Sequence, residues 1–403
     1  MASLPSAEKK VSVVSIPSDT FLTDSIVDFP IYYQLRDHQY RQILKEGSHF
    51  SSHLKEQIEA KGVKTLYIRD SDKNKYEEYL EQKWLHETIA GMKQVGVRNF
   101  KADTTVEFPL YYRKKNTLEQ LLEKGNVLES SQLKMLEEEK VKKLLINDED
   151  RKYFKTYVQE HTPPFTLKEG LSIKEKAERI FAQGEEMMDY LATDPHSDWG
   201  YARVKVVVEH MVGLIIDDEK AFKALNDAGD KEYELGSHSL SVALFSISFA
   251  QHLGFERDDL LRIGYCAMFH DIGKSQIDNE IMDKAGGLRR EEFEIVKKHS
   301  KYGSFIMRSH LEKDKDIIDG ILYHHEHFDG SGYPDQLKGH AIPVFARIVA
   351  LADVYDAISR KKPYGDPHNS FEALNIMMKE MANQFDKKLL IEFVRFMGPQ
   401  YRN

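Results

Sequence analysis

The 403-residue chain contains a single cysteine, Cys266. An internal disulfide framework is therefore excluded, and a thiolate metal site would have only one sulfur to offer. No apolar run reaches the roughly 18 residues that a membrane helix needs, and "MASLPSAEKK" at the start has no apolar core of a secretory signal. A cytoplasmic protein without membrane contact is expected. Positive charge is also in short supply: 57 Lys and Arg stand against 66 Asp and Glu, a net charge of -9. That balance argues against a polymeric nucleic acid as partner, since phosphate backbones are gripped by clustered cations. A small anionic ligand stays open, because bound metal reverses the local sign. Against these absences, 41% hydrophobic and 31% charged residues describe a globular chain long enough for several cores.

The first 160 residues are duplicated. "VDFPIYYQL" at 27–35 returns as "VEFPLYYRK" at 106–114, and "VKTLYIRD" at 63–70 as "VKKLLIND" at 141–148. Gly47 and Gly125 are 78 positions apart, and Tyr79 corresponds to Tyr157. This period is too long for a solenoid, so two copies of a small domain are expected. Each has short β-like runs, a glycine turn and two helices, an α+β pattern. "HTPPFT" at 161–166 breaks helix and reads as a linker. Helical periodicity dominates beyond it, near 173–192, 201–216, 235–253, 258–270, 291–310, 315–325, 344–359, 370–383 and 387–397. The divisions expected are 10–85 and 86–160 for the repeats, 161–227 for a linker and connecting helices, and 228–403 for an all-α domain. The amphipathic stretch at 171–190 suits either core packing or a dimer contact.

Metal-seeking side chains crowd this second half. Glu234 and His238 are four apart, on one helix face. His270 and Asp271 follow the apolar "GYCAMF"; His299 lies in "VKKHSKYG"; His324 and His325 open "HHEHFDGSGYP"; Asp353 and Asp356 interrupt the apolar "ALADVYDAI". A lone inward histidine is usually satisfied by its own core. Five helices aiming such groups inward are not explained that way, because unpaired buried polar groups cost several kcal/mol each. His, Asp and Glu without thiolate suit Fe(II) or Mn(II). So many candidates exceed one ion's needs. Adjacent side chains on a helix diverge by about 100°, so His324 and His325 reach two ions more readily than one.

"HDIGK" at 270–274, "HHEHFDGSGYP" at 324–334 and "ADVYDA" at 352–357, in this order on helices, resemble the HD-GYP family of the HD phosphohydrolase superfamily. The likeness runs over about 228–400. It implies an all-α HD-type helical domain; with the duplication, the fold expected is multidomain, two small α+β N-terminal repeats followed by that domain. It also implies a cyclic di-GMP phosphodiesterase with two or three divalent metals, yielding pGpG, GMP or both by attack of a hydroxide that bridges two of them. The implied ligands are Glu234, His238, His270, Asp271, His299, His324, His325 and Asp353, with Asp271 bridging and Glu234 serving a third ion. Lys274 would reach a phosphate oxygen, making Asp271 and Lys274 the catalytic pair. Lys274, Tyr333 and Lys362 would contact substrate. Gly330, Gly332, Tyr333 and Pro334 would form the signature loop, braced by Glu326 and Asp329; packing that holds the loop is the plainer role for Tyr333.

The chain departs from the family pattern at its periphery. Lys362 stands where an arginine precedes "PY", Gly365 where a basic residue follows, Ser241 where an arginine follows the first histidine, and Asp278 where a proline follows "HDIGK". Lysine cannot copy the fork of arginine. A cyclic di-GMP sensor with weak turnover, and a hydrolase of another cyclic dinucleotide, are thus the alternative expectations. Regulatory N-terminal repeats, a homodimer, and a signalling-protein partner at the signature loop or the repeats are the further associations expected.

Overall fold

A computed structural model describes residues 12–23, 25–36, 39–229, 235–282, 284, 287–311, 314–360 and 369–400. Strands and helices alternate through the first third. They are β1 (Val13–Pro17), β2 (Ile26–Val27), β3 (Ile31–Arg36), β4 (Gln39–Leu44), β5 (Ser48–His49), α1 (Ser52–Ala60), β6 (Thr65–Arg69) and α2 (Lys73–Ile89), then β7 (Met92–Gly96), β8 (Thr104–Val106), β9 (Leu110–Lys114), β10 (Thr117–Leu122), β11 (Asn126–Leu128), α3 (Ser130–Glu138), β12 (Lys143–Asn147) and α4 (Arg151–His161). Helices alone follow: α5 (Ile173–Thr193), α6 (Asp198–Asp217), α7 (Ala221–Ala228), α8 (Leu235–His252), α9 (Arg257–Phe269), α10 (Asn279–Met282), α11 (Arg290–Val296), α12 (His299–Leu311), α13 (Lys315–Tyr323), α14 (Val344–Ser359), α15 (Ser370–Lys379) and α16 (Lys387–Gln400). Among the described residues, no helix is long and apolar enough to cross a membrane.

The duplication is visible strand by strand. The sheet orders β1-β6-β3-β4 and β10-β9-β12-β7 are the same order read from opposite ends, and the small pair β2-β5 recurs as β11-β8. The matched tyrosines do matched work. Tyr79 Oη accepts from Leu22 N at 2.8 Å and meets Ser25 Oγ at 2.8 Å. Tyr157 Oη accepts from Lys101 N at 3.0 Å and meets Thr104 Oγ1 at 2.5 Å. Gly47 and Gly125 turn with φ of 71° and 81°, a region glycine enters without steric penalty.

By compactness the chain divides into 1–93 with 107–126 and 144–151, and 94–106 with 127–143 and 152–403. The first unit is centred on Ile16, Phe21, Phe29, Ile31, Phe50, Leu66 and Ile68, with Phe21 stacked on Phe50 at 4.9 Å.

In the second unit α8 and α14 run through the core. Leu240, Val242–Leu244, Ile247 and Phe249 of α8 are buried, as are Ile348–Ala352 of α14. Small residues let helices approach: a Cβ on Gly264 of α9 would lie 2.6 Å from Val208 Cγ1, and one on Gly184 of α5 2.5 Å from Leu240 Cδ2. α5 opens on a reciprocal cap between Ser172 and Glu175 and is buried from Gly184 to Leu191. Of the two roles its sequence suits, it fills that of a core helix. The stretch expected as one helix over 291–310 is two, α11 and α12, parted at Lys297 and Lys298.

Candidate metal centre

Seven of the eight side chains singled out from the sequence converge. Asp271, His299, His324 and His325 place ligand atoms within 4.8 Å of one another, and so do His238, His270 and Asp353. His324 and His325, expected to reach two ions, therefore share one group, because α13 ends at Tyr323 and the helical divergence of adjacent side chains does not hold beyond it. The eighth, Glu234, lies outside the described residues, as do Lys362 and Gly365. Asp271 stands between the two groups. Its Oδ1 is 3.2 Å from His299 Nε2, while Oδ2 is 3.4 Å from His270 Nε2 and 3.7 Å from His238 Nε2. Asp353 Oδ1 is 3.2 Å from His238 Nε2 and 4.0 Å from His270 Nε2. Lys274 pairs with Asp271 Oδ2.

The histidines are aimed by helix ends. His270 follows α9, His324 follows α13, and His299 comes three residues after α11 closes. Each Nδ1 lies 2.7 Å from the carbonyl three residues earlier, that of Ala267, Ile321 or Val296. Carbonyls at a helix C-terminus lack an intrahelical donor, so each histidine supplies one. A carbonyl only accepts, so Nδ1 carries the proton and the neutral ring turns its Nε2 lone pair inward. The break at Lys297 and Lys298 has the same logic, since an unbroken helix would engage the Val296 carbonyl. His238 is held differently: Nδ1 meets Asp356 Oδ2 at 2.7 Å. Asp356, grouped from the sequence with the metal-seeking residues, is the partner of one.

Electrostatics favour cation binding. Burial pushes His299 down and His324 well down from the ordinary histidine range, and takes His325 to about 3. All three keep their lone pairs at neutral pH. Burial alone would raise the Asp271 carboxyl; Lys274, His270 and His299 outweigh it and hold the group well below the usual range. Asp353 is likewise held low, burial being outweighed first by His238. His270 Nε2 and Asp271 Oδ1 are buried without a hydrogen-bond partner. Buried polar atoms are nearly always satisfied, so two orphans facing one cluster fit a site for divalent metal.

The loop after α13 is closely bonded. Glu326 is buried and accepts from Asp335 N at 2.7 Å and Leu337 N at 3.0 Å. Asp329 accepts from Ser331 N at 2.9 Å and Ser331 Oγ at 2.6 Å. Gly330 has a φ of 86°. Gly332 has no room for a side chain, because a Cβ would fall 2.2 Å from His327 N and 2.5 Å from His325 O. The Tyr333–Pro334 peptide is cis. The Tyr333 ring packs on His325 at 4.8 Å.

Nothing local in the sequence marks Arg360, yet it is buried and tied to Asp356, Ser237 and Ser241. Its one signal is the i,i+4 spacing from Asp356. Ser241, noted as an arginine position in the resembled family, receives a guanidinium from another helix.

Residues 217–389 match the family model of the HD domain, which defines the class of the helical half. The motifs by which the chain resembles the HD-GYP family lie within this span. Over 169 residues it is 39% identical to a cyclic di-GMP phosphodiesterase of Thermotoga maritima, covering 41% of this chain and 45% of that protein. A 3'3'-cGAMP-specific phosphodiesterase of Vibrio cholerae is 32% identical over 185 residues, 44% of this chain and 35% of its own. A cyclic di-GMP phosphodiesterase of Pseudomonas aeruginosa is 34% identical over 161 residues, 40% and 39% of the two chains. The match thus spans under half the length of these curated relatives. An HDG"Y"P protein from Bdellovibrio bacteriovorus shares the fold, with a TM-score of 0.54 at 20% identity over 76% of this chain and 99% of that one.

Proposed function

We propose that the chain is a metal-dependent phosphodiesterase that opens cyclic di-GMP to pGpG, GMP or both. The observation that carries this reading is the position of Asp271, which turns one carboxylate oxygen to each of two ligand groups. His238, His270 and Asp353 would hold one divalent ion and His299, His324 and His325 another, with Asp271 shared; Fe(II) or Mn(II) suits this thiolate-free set. A third ion would call on Glu234. When bound, such ions lower the pKa of water and offset charge on a phosphoryl oxygen. The protein's own part is to hold Nε2 of His299, His324 and His325 unprotonated, keep Asp271 and Asp353 ionised and place Lys274 beside them for a nonbridging oxygen. Tyr333 supports this centre through His325 and is proposed, with Lys274, to line the substrate.

A second reading, hydrolysis of 3'3'-cGAMP, draws support from the Vibrio cholerae relatives named for it. The N-terminal repeats are proposed to regulate the centre through α5. Partner docking beside the signature loop is supported by Phe305, 74% exposed, which shares a cavity of about 290 Å³ with Asp335.

The deciding experiment supplies the full chain with Mn(II), or with Fe(II) anaerobically, and follows both cyclic dinucleotides by product chromatography. Linear dinucleotide or mononucleotide is expected from cyclic di-GMP. Product from 3'3'-cGAMP alone would select the second reading. A metal-loaded chain that binds either ligand tightly without product would be a sensor.

A further inference from the structure

We propose that Arg360 is a positioning residue that sets metal affinity at one of the two ligand groups, the one containing His238. The inference rests on the metal-dependent reading above.

His238, His270, His299 and His324, all candidate ligands, are not held alike at Nδ1. His270, His299 and His324 donate to main-chain carbonyls, which their helices fix. His238 instead meets a side chain, Asp356, which has rotamers of its own. Arg360 removes that freedom. Its Nε lies 2.8 Å from Asp356 Oδ1 and 2.7 Å from Oδ2. Its other two nitrogens cross to α8. Nη1 donates to Ser237 Oγ at 3.0 Å, and Nη2 to Ser237 O at 2.9 Å and to Ser241 Oγ.

A continuous path therefore runs from the main chain beside His238, through the guanidinium and carboxylate, back to the ring of His238. The same path ties the end of α14 to the start of α8. Those helices carry Asp353 and His238, two of the three ligands of this group. Arg360 and Asp356 are 8% and 2% exposed, so water does not compete for these bonds. A solvated i,i+4 pair would contribute little; this one is buried and reaches residues more than a hundred positions away.

The effect should be selective. Partners that orient metal-bound histidines are worth about 10- to 100-fold in affinity. Lysine keeps the charge but loses the planar fork that engages a carboxylate and two serines together. Mn(II) binding to the whole chain, titrated in graded metal buffers and read as metal per chain, separates the two positions; thermal melts report the fold. Arg360→Lys is expected to weaken one binding step about 10- to 100-fold and leave the other unchanged. Ser241→Ala, a milder change in case the lysine variant unfolds, should move the same step by about 2- to 10-fold. Unchanged affinities in both folded variants, or equal weakening of both steps, would overturn the proposal while leaving the metal-dependent reading intact. A wild-type chain that takes up no metal would overturn both.

Discussion

At the scale of the residue, the centre depends on imidazoles kept neutral by burial. The metal-free chain should therefore respond to acid in a stated direction. His325 has a folded pKa of about 3, whereas an unfolded histidine titrates near 6.5. Between these values the unfolded chain binds more protons, so stability must fall as pH drops through that window. Urea midpoints of metal-free protein should decline from pH 7 to pH 4, and less steeply in His325→Gln; parallel slopes would show that His325 is not buried as neutral imidazole. Lys274 makes a different prediction, because it supplies charge without holding metal. Lys274→Ala should lower kcat by about 10²- to 10³-fold at unchanged metal content, while Asp271→Ala should lose both metal and turnover. The side chains that gather here were legible in the sequence because metal-seeking groups recur from helix to helix, two of them against apolar runs, as His270 after "GYCAMF" and Asp353 in "ALADVYDAI". Their orientation was not. The carbonyls of Ala267, Val296 and Ile321 carry no sequence identity, and Arg360 finds Ser237 across 123 positions.

At the scale of the element, glycines decide where the ligands stand. A Cβ on Gly273 would fall 1.9 Å from His299 O and 2.4 Å from Gly303 N. This glycine is thus the contact surface between the "HDIGK" turn and the first turn of α12. Backbone atoms cannot step aside as a flexible side chain can. Gly273→Ala should displace His299 and destabilise the fold by about 1–3 kcal/mol or more, seen as a lower melting midpoint together with lost metal. Gly332→Ala should act alike through His325 O and His327 N. If either variant melts and binds metal as the parent does, the close approach is wrong. Periodicity announced these helices well, and α14 occupies the expected 344–359. It missed the break before His299, since nothing in the 3.6-residue pattern records that a side chain will take a carbonyl from its own helix.

At the scale of the whole molecule, the duplicated halves diverge in charge where it matters. In the second compact unit, three buried acids of α5 and a fourth, Asp194, just past its end meet four bases drawn from the second repeat. Glu185 faces Arg98 at 3.2 Å, Glu186 faces Lys101 at 2.8 Å, Asp189 faces Lys143 at 2.9 Å and Asp194 faces Lys155 at 2.8 Å. Asn99 Nδ2 adds a bond to Glu186 O at 2.8 Å. The matched positions of the first repeat hold Asp19 for Arg98 and Leu22 for Lys101, so duplication explains the fold of this face but not its use. α5 also receives Leu240 at Gly184, and Leu240 stands two residues beyond His238 on α8. Lys143→Ala tests whether this seam does more than hold the helix. It removes the 2.9 Å partner of Asp189 and leaves Arg98 at 3.8 Å, and should lower stability by about 1–3 kcal/mol. If the repeats regulate the centre, kcat of the still-folded variant should change as well, with metal content unaltered. A variant that is less stable but turns over at the parent rate would make the repeats a scaffold.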